Sequence, residues 1–270
     1  MSKSTTQNNF TLLIQGPISL YTVFMLYKYK DAFPIVVSAP KPKNVKDSKI
    51  VEEIQSIAGS DSNLSLFLYE QEWPKDIYNE QNRYGQFFST SLGLQACYTD
   101  YTIKIRSDEF YSNLEPFIEA VLDNTTKLVT NDVFFRNSTM PFHPSDHLMG
   151  GKTTLLKSIF NTSKLFCEQK DLLDKNIFIN IFRSTLKDKS IFIPAEVYLG
   201  AALMAHLHPS DIRQTEIDIV KAMKHSIFIV DNEELGLIRI NANSVDGGKE
   251  FFDTSYRNEA TDIHDIQHYK

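Results

Sequence analysis

Arg106-Ser107-Asp108-Glu109 closes an apolar run at residues 101–105 with a cation, a hydroxyl and two acids. Adjacent carboxylates offer hard oxygen ligands to Mg2+ or Mn2+, and an arginine beside them can offset phosphate charge. Such a group suits a phosphorylated ligand carrying a divalent cation; an internal Arg106–Asp108 ion pair is the structural alternative. A second concentration of chemistry lies at residues 141–153, PFHPSDHLMGGKT. There Asp146 stands among two imidazoles, and the Gly150-Gly151 pair can let an acceptor approach closely. The Gly-Lys-Thr at its end imitates a phosphate-binding loop. The first glycine of that motif would fall at Asp146, so the loop is rejected. Glu196 opens an apolar stretch, residues 195–207, where a carboxylate is also favoured simply by the positive end of a helix. His264 and His268, in the polar tail, are imidazoles that a Mn2+ shell would accept.

These residues need elements to hold them. Residues 11–14, the turn Gln15-Gly16-Pro17 and a helix capped by Ser19 read as a strand–turn–helix opening, in which Gly16 lets backbone approach a ligand. Apolar runs at 33–38 and 64–69, with a helix at 49–58 between them, repeat the step and point to a mainly parallel sheet. A helix over roughly 77–96 sets Asn79, Asn82, Arg83 and Gln86 on one face. Either that face is solvated or it walls a cleft in which Arg83 meets a nucleotide. The run at 101–105 is a strand, and ligands of open α/β sheets bind outside the carboxyl ends of the strands. Residues 113–122 form a helix with Pro116 in its first turn. Residues 127–135 read as a strand whose Asn131 and Asp132 are either functional or hydrogen-bonded to a neighbouring loop. Beyond Thr154 the pattern is mostly helical, at 155–163, 165–173, 176–186 and 195–207, with short strand candidates at 191–194, 227–230 and 237–240.

The expected fold class is α/β: a Rossmann-type, mainly parallel sheet flanked by helices, with a more helical C-terminal part. Residues 1–154 would form the nucleotide-binding half and 155–270 the acceptor-side half of a single catalytic domain. A chain of 270 residues, 42% hydrophobic and 23% charged, can bury a large core. Its net charge of −6 provides no basic stripe, so nucleic acid is not an expected partner. Cys97 and Cys167 are too far apart for metal-type spacing and suit a reducing cytoplasm. The opening MSKSTTQNNF lacks the apolar core of a signal peptide, and no apolar run approaches the ~20 residues that span a bilayer. Any membrane contact is expected to be peripheral.

Several features occur in a recognisable order: Asn82, Arg83 and Gln86 on a helix; Lys104-Ile105-Arg106-Ser107-Asp108 at a strand end; Asn131-Asp132-Val133-Phe134-Phe135-Arg136; then Ser145-Asp146-His147. This succession, over roughly residues 11–210, resembles the WavE lipopolysaccharide-synthesis family. The resemblance implies a GT-A-type glycosyltransferase acting in the cytoplasm, at the inner face of the inner membrane. Its donor would be a nucleotide sugar, and its acceptor an oligosaccharide or lipid-linked glycan of lipopolysaccharide or capsule. The family's acid falls on Asp108, expected to anchor the diphosphate and a Mn2+ or Mg2+ ion, with Glu109 or His264 completing the shell. Many GT-A enzymes carry Asp-x-Asp where this chain has Ser107-Asp108-Glu109. Gln15, Gly16, Pro17 and Arg83 are the expected nucleotide contacts, and Arg106 the phosphate contact. Asp146 and Glu196 are the candidates for the acceptor's base. A phosphoester hydrolase or phosphotransferase on the same kind of sheet, or a non-catalytic glycan-binding subunit, would also accommodate these residues.

Overall fold

The computed structural model describes residues 9–60, 63–73, 83–132, 144–185, 193–207, 222–223 and 225–239. Its centre is a seven-stranded sheet built from β1 (Phe10–Gln15), β2 (Ile35–Pro40), β3 (Leu64–Tyr69), β4 (Tyr101–Arg106), β6 (Leu128–Asn131), β7 (Leu148–Lys152) and β8 (Ile227–Val230), in the order β3-β2-β1-β4-β7-β6-β8. β3, β2, β1 and β4 run parallel, as do β6 and β8; β7 is antiparallel to both of its neighbours. A small second sheet pairs β5 (Glu109–Tyr111) antiparallel with β9 (Leu237–Arg239). The sheet is therefore mixed and mainly parallel, as the alternation of apolar runs and helices implies.

Side-chain alternation along the strands divides the core into two layers. Leu12, Ile14, Ile103 and Ile105 pack with α1 (Leu20–Tyr29), α2 (Val45–Ser60) and α4 (Glu115–Asp123). Leu13, Val36 and Met149 face the other way, towards α3 (Arg83–Ala96), α5 (Thr153–Glu168), α7 (Ile177–Thr185) and α8 (Ala195–Leu207); the short α6 (Lys170–Lys175) joins α5 to α7. Lys104 pairs in register with Leu13 and Met149, so it is a lysine placed where the strand's period calls for a residue of the α3 layer.

Two sequence expectations change. Gly150 and Gly151, expected to let an acceptor approach, are instead buried within β7. A Cβ on Gly150 would come within 2.5 Å of Phe117 Cε1 and 2.8 Å of Val121 Cγ2, so the missing side chain lets α4 close on the sheet. Glycine is a poor strand former, which is why the sequence pattern conceals this strand. The strand expected at 127–135 is described as Leu128–Asn131; residues 133–135 lie outside the described residues, as do 191–192 of the strand expected at 191–194, whose remaining Ile193 and Pro194 form no strand.

Candidate active site

β1 sits between β2 and β4, and the chain reaches β4 only after building β2 and β3 on the other side. The carboxyl ends of β1 and β4 thus flank a topological switch point, where open α/β sheets bind ligands. Register brings the ends together, since Gln15 pairs with both Ser38 and Arg106. Gly16 has φ of 124°, and a Cβ on it would lie 2.6 Å from Ser107 Oγ, so the Gln-Gly-Pro turn and the Arg-Ser-Asp turn meet only because residue 16 is glycine.

Ser107 holds the two turns together. Its amide donates to the Gln15 carbonyl at 2.9 Å and its hydroxyl to the Pro17 carbonyl at 2.7 Å. Its own carbonyl accepts from Ser19 Oγ at 2.5 Å and Thr22 Oγ1 at 3.3 Å. Ser19 also caps α1, accepting from the Tyr21 amide at 3.2 Å, while its own amide donates to Thr22 Oγ1 at 3.2 Å. The first turn of α1 is thereby fixed to the end of β4.

Charged groups fill the crevice behind these turns. Arg106 and Asp108 form a bidentate pair, Nε to Oδ1 and Nη2 to Oδ2, both at 2.9 Å, with side chains 32% and 29% exposed. Arg106 Nη1 is also 3.9 Å from Asp146 Oδ2. Asp146 is buried, accepts from Gln86 Nε2 on α3, and lies 3.6 Å from His147 Nε2 through its Oδ1. Its backbone carbonyl takes the hydrogen bond of the fully buried Lys104 ammonium. Burial pushes the Asp146 carboxyl up, but His147, Lys104, Arg106 and the Gln86 hydrogen bond outweigh it and hold the group below the usual carboxylate range. Burial has the upper hand for Lys104, whose pKa is lowered even though Asp146 opposes the shift.

Glu109 turns inward. It is fully buried, with one oxygen against His147 Nδ1 and the other accepting from Tyr111 Oη at 2.9 Å. Tyr111 Oη in turn accepts from Asn131 Nδ2 at 3.0 Å, and Asn131 Oδ1 accepts from Ser145 Oγ at 2.7 Å. Burial raises Glu109, while His147 and then Arg106 bring it below its ordinary value; burial sends the Tyr111 hydroxyl well above its own.

The structure thus gathers Gln15, Gly16, Pro17, Arg106, Asp108 and Asp146 at one sheet edge. It separates others from the roles expected of them. Glu109 has both oxygens engaged within the protein, on His147 and Tyr111, and points away from Asp108's partly exposed side chain. Arg83 is 1% exposed; its Nη1 donates to the Ile193 carbonyl at 2.6 Å and its guanidinium lies over the Tyr198 ring at 5.1 Å. It is an internal post joining the start of α3 to the start of α8, not a wall of an open groove. Glu196, the other acceptor-side candidate, is half-buried in the first turn of α8. His264, His268, Asn79 and Asn82 lie outside the described residues. Among the described residues no group of three His, Cys, Asp or Glu side chains is placed to hold a metal ion.

Sequence reasoning passed over Lys104, His147 and Ser107 as site residues. Lys104 did carry a signal, as a lone cation in the alternating Thr-Ile-Lys-Ile-Arg of a buried strand, because a buried ammonium requires a carboxylate nearby. Ser107 carried none, since its importance lies in backbone groups from β1 and α1.

A family model described as WavE lipopolysaccharide synthesis matches residues 10–241. No curated protein matches the chain. Among solved structures, the chain is similar to HddC from Yersinia pseudotuberculosis at 10% identity, covering 55% of this chain and 78% of that one with a TM-score of 0.36. It is similar to S. aureus TarS 1-349 in complex with UDP-GlcNAc at 14% identity, covering 55% and 46%, with a TM-score of 0.34. A third is the mannosyltransferase PcManGT from Pyrobaculum calidifontis in complex with GDP-Man and Mn2+, at 11% identity, covering 81% and 73% with a TM-score of 0.39. In the described residues no helix is long and apolar enough to cross a membrane.

Proposed function

Because the chain belongs to the WavE lipopolysaccharide synthesis family, we propose that it is a glycosyltransferase that moves a sugar from a nucleotide-sugar donor to a growing lipopolysaccharide or capsular glycan. The observation that carries the reading is the meeting of strand ends at the β1–β4 switch point. There a glycine turn and a cationic strand end lie side by side, held by Ser107. Backbone at Gln15, Gly16 and Pro17 approaches the nucleotide, and Arg106 faces its phosphates. Sugar transfer then depends on holding the anomeric carbon against the acceptor hydroxyl and on removing that hydroxyl's proton if the configuration inverts.

Asp146 and Glu196, the two candidates for the acceptor's base, take different parts. A general base is most effective when its pKa lies near the working pH. Asp146, buried and held low by its cationic neighbours, is a weak base. Its work is to keep Lys104 and Arg106 compensated. Glu196, half-buried in the first turn of α8 just after the Ile193 carbonyl that Arg83 holds, takes the acceptor proton.

The Mn2+ or Mg2+ ion implied by the sequence resemblance would neutralise the leaving diphosphate, with Asp108 as its protein ligand. The described side chains do not fit such an ion. Asp108 is engaged by Arg106, and Glu109 is turned inward and engaged by His147 and Tyr111.

This reading carries with it a cytoplasmic location, at the inner face of the inner membrane, where a lipid-linked acceptor would be met through peripheral contact. A thermal-shift panel of UDP, GDP, CMP and their sugars tests it. One nucleotide class should raise Tm, and the matching nucleotide sugar should raise it at least as much. A flat response from folded protein would count against the donor site.

A further inference from the structure

Arg106 and Asp108 stand two residues apart at the end of β4 and share two hydrogen bonds of 2.9 Å. Both side chains reach the crevice surface, at 32% and 29% exposure. Behind them the other charges are settled internally. Lys104 bonds the Asp146 carbonyl, Gln86 bonds the Asp146 carboxylate, and His147 and Tyr111 take the two oxygens of Glu109. The Arg106–Asp108 pair is therefore the exchangeable one, with solvent on one side and a compensated polar core on the other.

A divalent cation and a diphosphate place opposite demands on this pair. A cation on Asp108 would have to break a bidentate ion pair and then remain beside the guanidinium that it displaced, two positive charges in contact. A phosphate offers the guanidinium the same pair of oxygens that the carboxylate offers, with more charge. It can replace Asp108 without leaving Arg106 unpaired. The guanidinium is available for this at any working pH: burial opposes its charge, but Asp108 and Asp146 hold its pKa above the usual value. It also lies where a phosphate would arrive, since Arg106 pairs in register with Gln15, next to the Gly16 turn.

Resting on the donor reading above, we propose that Arg106 supplies the counter-charge for the donor's diphosphate. Asp108 holds that guanidinium until the donor replaces it, so a nucleoside diphosphate binds without a divalent cation. The exchange makes and breaks only hydrogen bonds and ion pairs: the diphosphate takes the two donors of Arg106, and the Asp108 carboxylate passes to solvent.

Calorimetric titration with UDP and GDP, in EDTA and again in Mn2+, tests the exchange on wild-type protein and on Arg106→Gln and Asp108→Asn. One of the two nucleotides should bind with a Kd that agrees within about twofold between EDTA and Mn2+. Arg106→Gln should weaken it roughly 10- to 100-fold, the usual range for losing a charged hydrogen-bond pair. Asp108→Asn should bind as tightly as wild type or tighter, because Arg106 has lost its internal competitor. That isosteric variant keeps the test decisive if Arg106→Gln fails to fold. Binding seen only in Mn2+, or lost in Asp108→Asn, would overturn the proposal and leave the nucleotide-sugar reading standing. If folded wild type binds neither nucleotide in either buffer, the proposal falls, and the donor reading then stands only on a response to CMP or its sugars in the thermal-shift panel.

Discussion

At the level of single residues, the charges behind the β1 and β4 turns stabilise one another, and Lys104, Glu109, Asp146 and His147 do so out of reach of water. Lys104 is fully buried and Asp146 is 3% exposed. Asp146→Ala would leave Lys104 and Arg106 short of a carboxylate in a low-dielectric setting, and breaking a buried pair on one side costs about 3–5 kcal/mol. Urea unfolding should show a loss of that order, with a smaller loss for Asp146→Asn, which keeps the Gln86 and Lys104 contacts. The same charges fix the acid limb of stability. The Asp146 and Glu109 carboxyls have folded pKa values below their ordinary 3.8 and 4.5. The unfolded chain therefore takes up these protons first. Their contribution is fully present above those values and is lost as pH falls through the folded ones. Chemical denaturation between about pH 6 and 2 should show stability falling steeply below about pH 4, and less steeply for Asp146→Asn.

Arg83 shows why a residue's type and spacing are only part of its meaning. Its place on a polar helical face with Gln86 is visible in the sequence, and Gln86 does face the crevice through Asp146. The destination of Arg83 is set by α8, more than a hundred residues later, whose preceding carbonyl at Ile193 captures it. No local pattern encodes that partner. The acid at 108 and the Gln-Gly-Pro turn were legible because each ends a strand, and strand ends share an edge.

At the level of elements, the crevice depends on how closely helices approach the sheet. Gly150→Ala puts a methyl into the rings and methyls of α4. Overpacking of this kind typically costs 1–3 kcal/mol, so a drop of about 2 kcal/mol in unfolding free energy is expected. The site itself should survive, because Phe117 and Val121 belong to the layer opposite Lys104. Arg83→Met tests the post between α3 and α8. Losing a charged hydrogen bond to a buried carbonyl should cost roughly 1.5–3 kcal/mol. Calorimetry should find nucleotide affinity unchanged, while transfer assays show a lower turnover as the first turn of α8 loosens around Glu196. A loss of nucleotide affinity instead would return Arg83 to the donor groove. The strand β7 was hidden from sequence reading for the reason that makes Gly150 costly to replace: strand propensity is low at both glycines, and only contact with α4 accounts for the first of them.

For the whole molecule, parallel pairing of β3, β2, β1 and β4 and the two helical layers followed from the alternation of apolar runs and helices. The antiparallel insertion of β7 and the return of residues 227–230 to the sheet did not, because both are long-range pairings. Hydrogen exchange should rank the sheet accordingly. Amides of β1 and β4, each paired on both sides within the core, should exchange slowest, and those of the edge strands β3 and β8 several times faster. Uniform protection across all seven strands would contradict this order.

The position of β8 also bears on how the protein is made. Until β8 arrives, β6 presents an open strand edge, a template for pairing with other chains. About 95 residues of synthesis separate the two strands, on the order of 5–20 s at ribosomal rates of roughly 5–20 residues per second. Through that interval the edge is β6, buried along its whole length in the finished sheet, whereas the edge that replaces it, β8, is partly exposed and built to face water. Chaperone demand during translation should therefore be concentrated there, and fragments released before residue 227 should aggregate where the full chain stays dispersed.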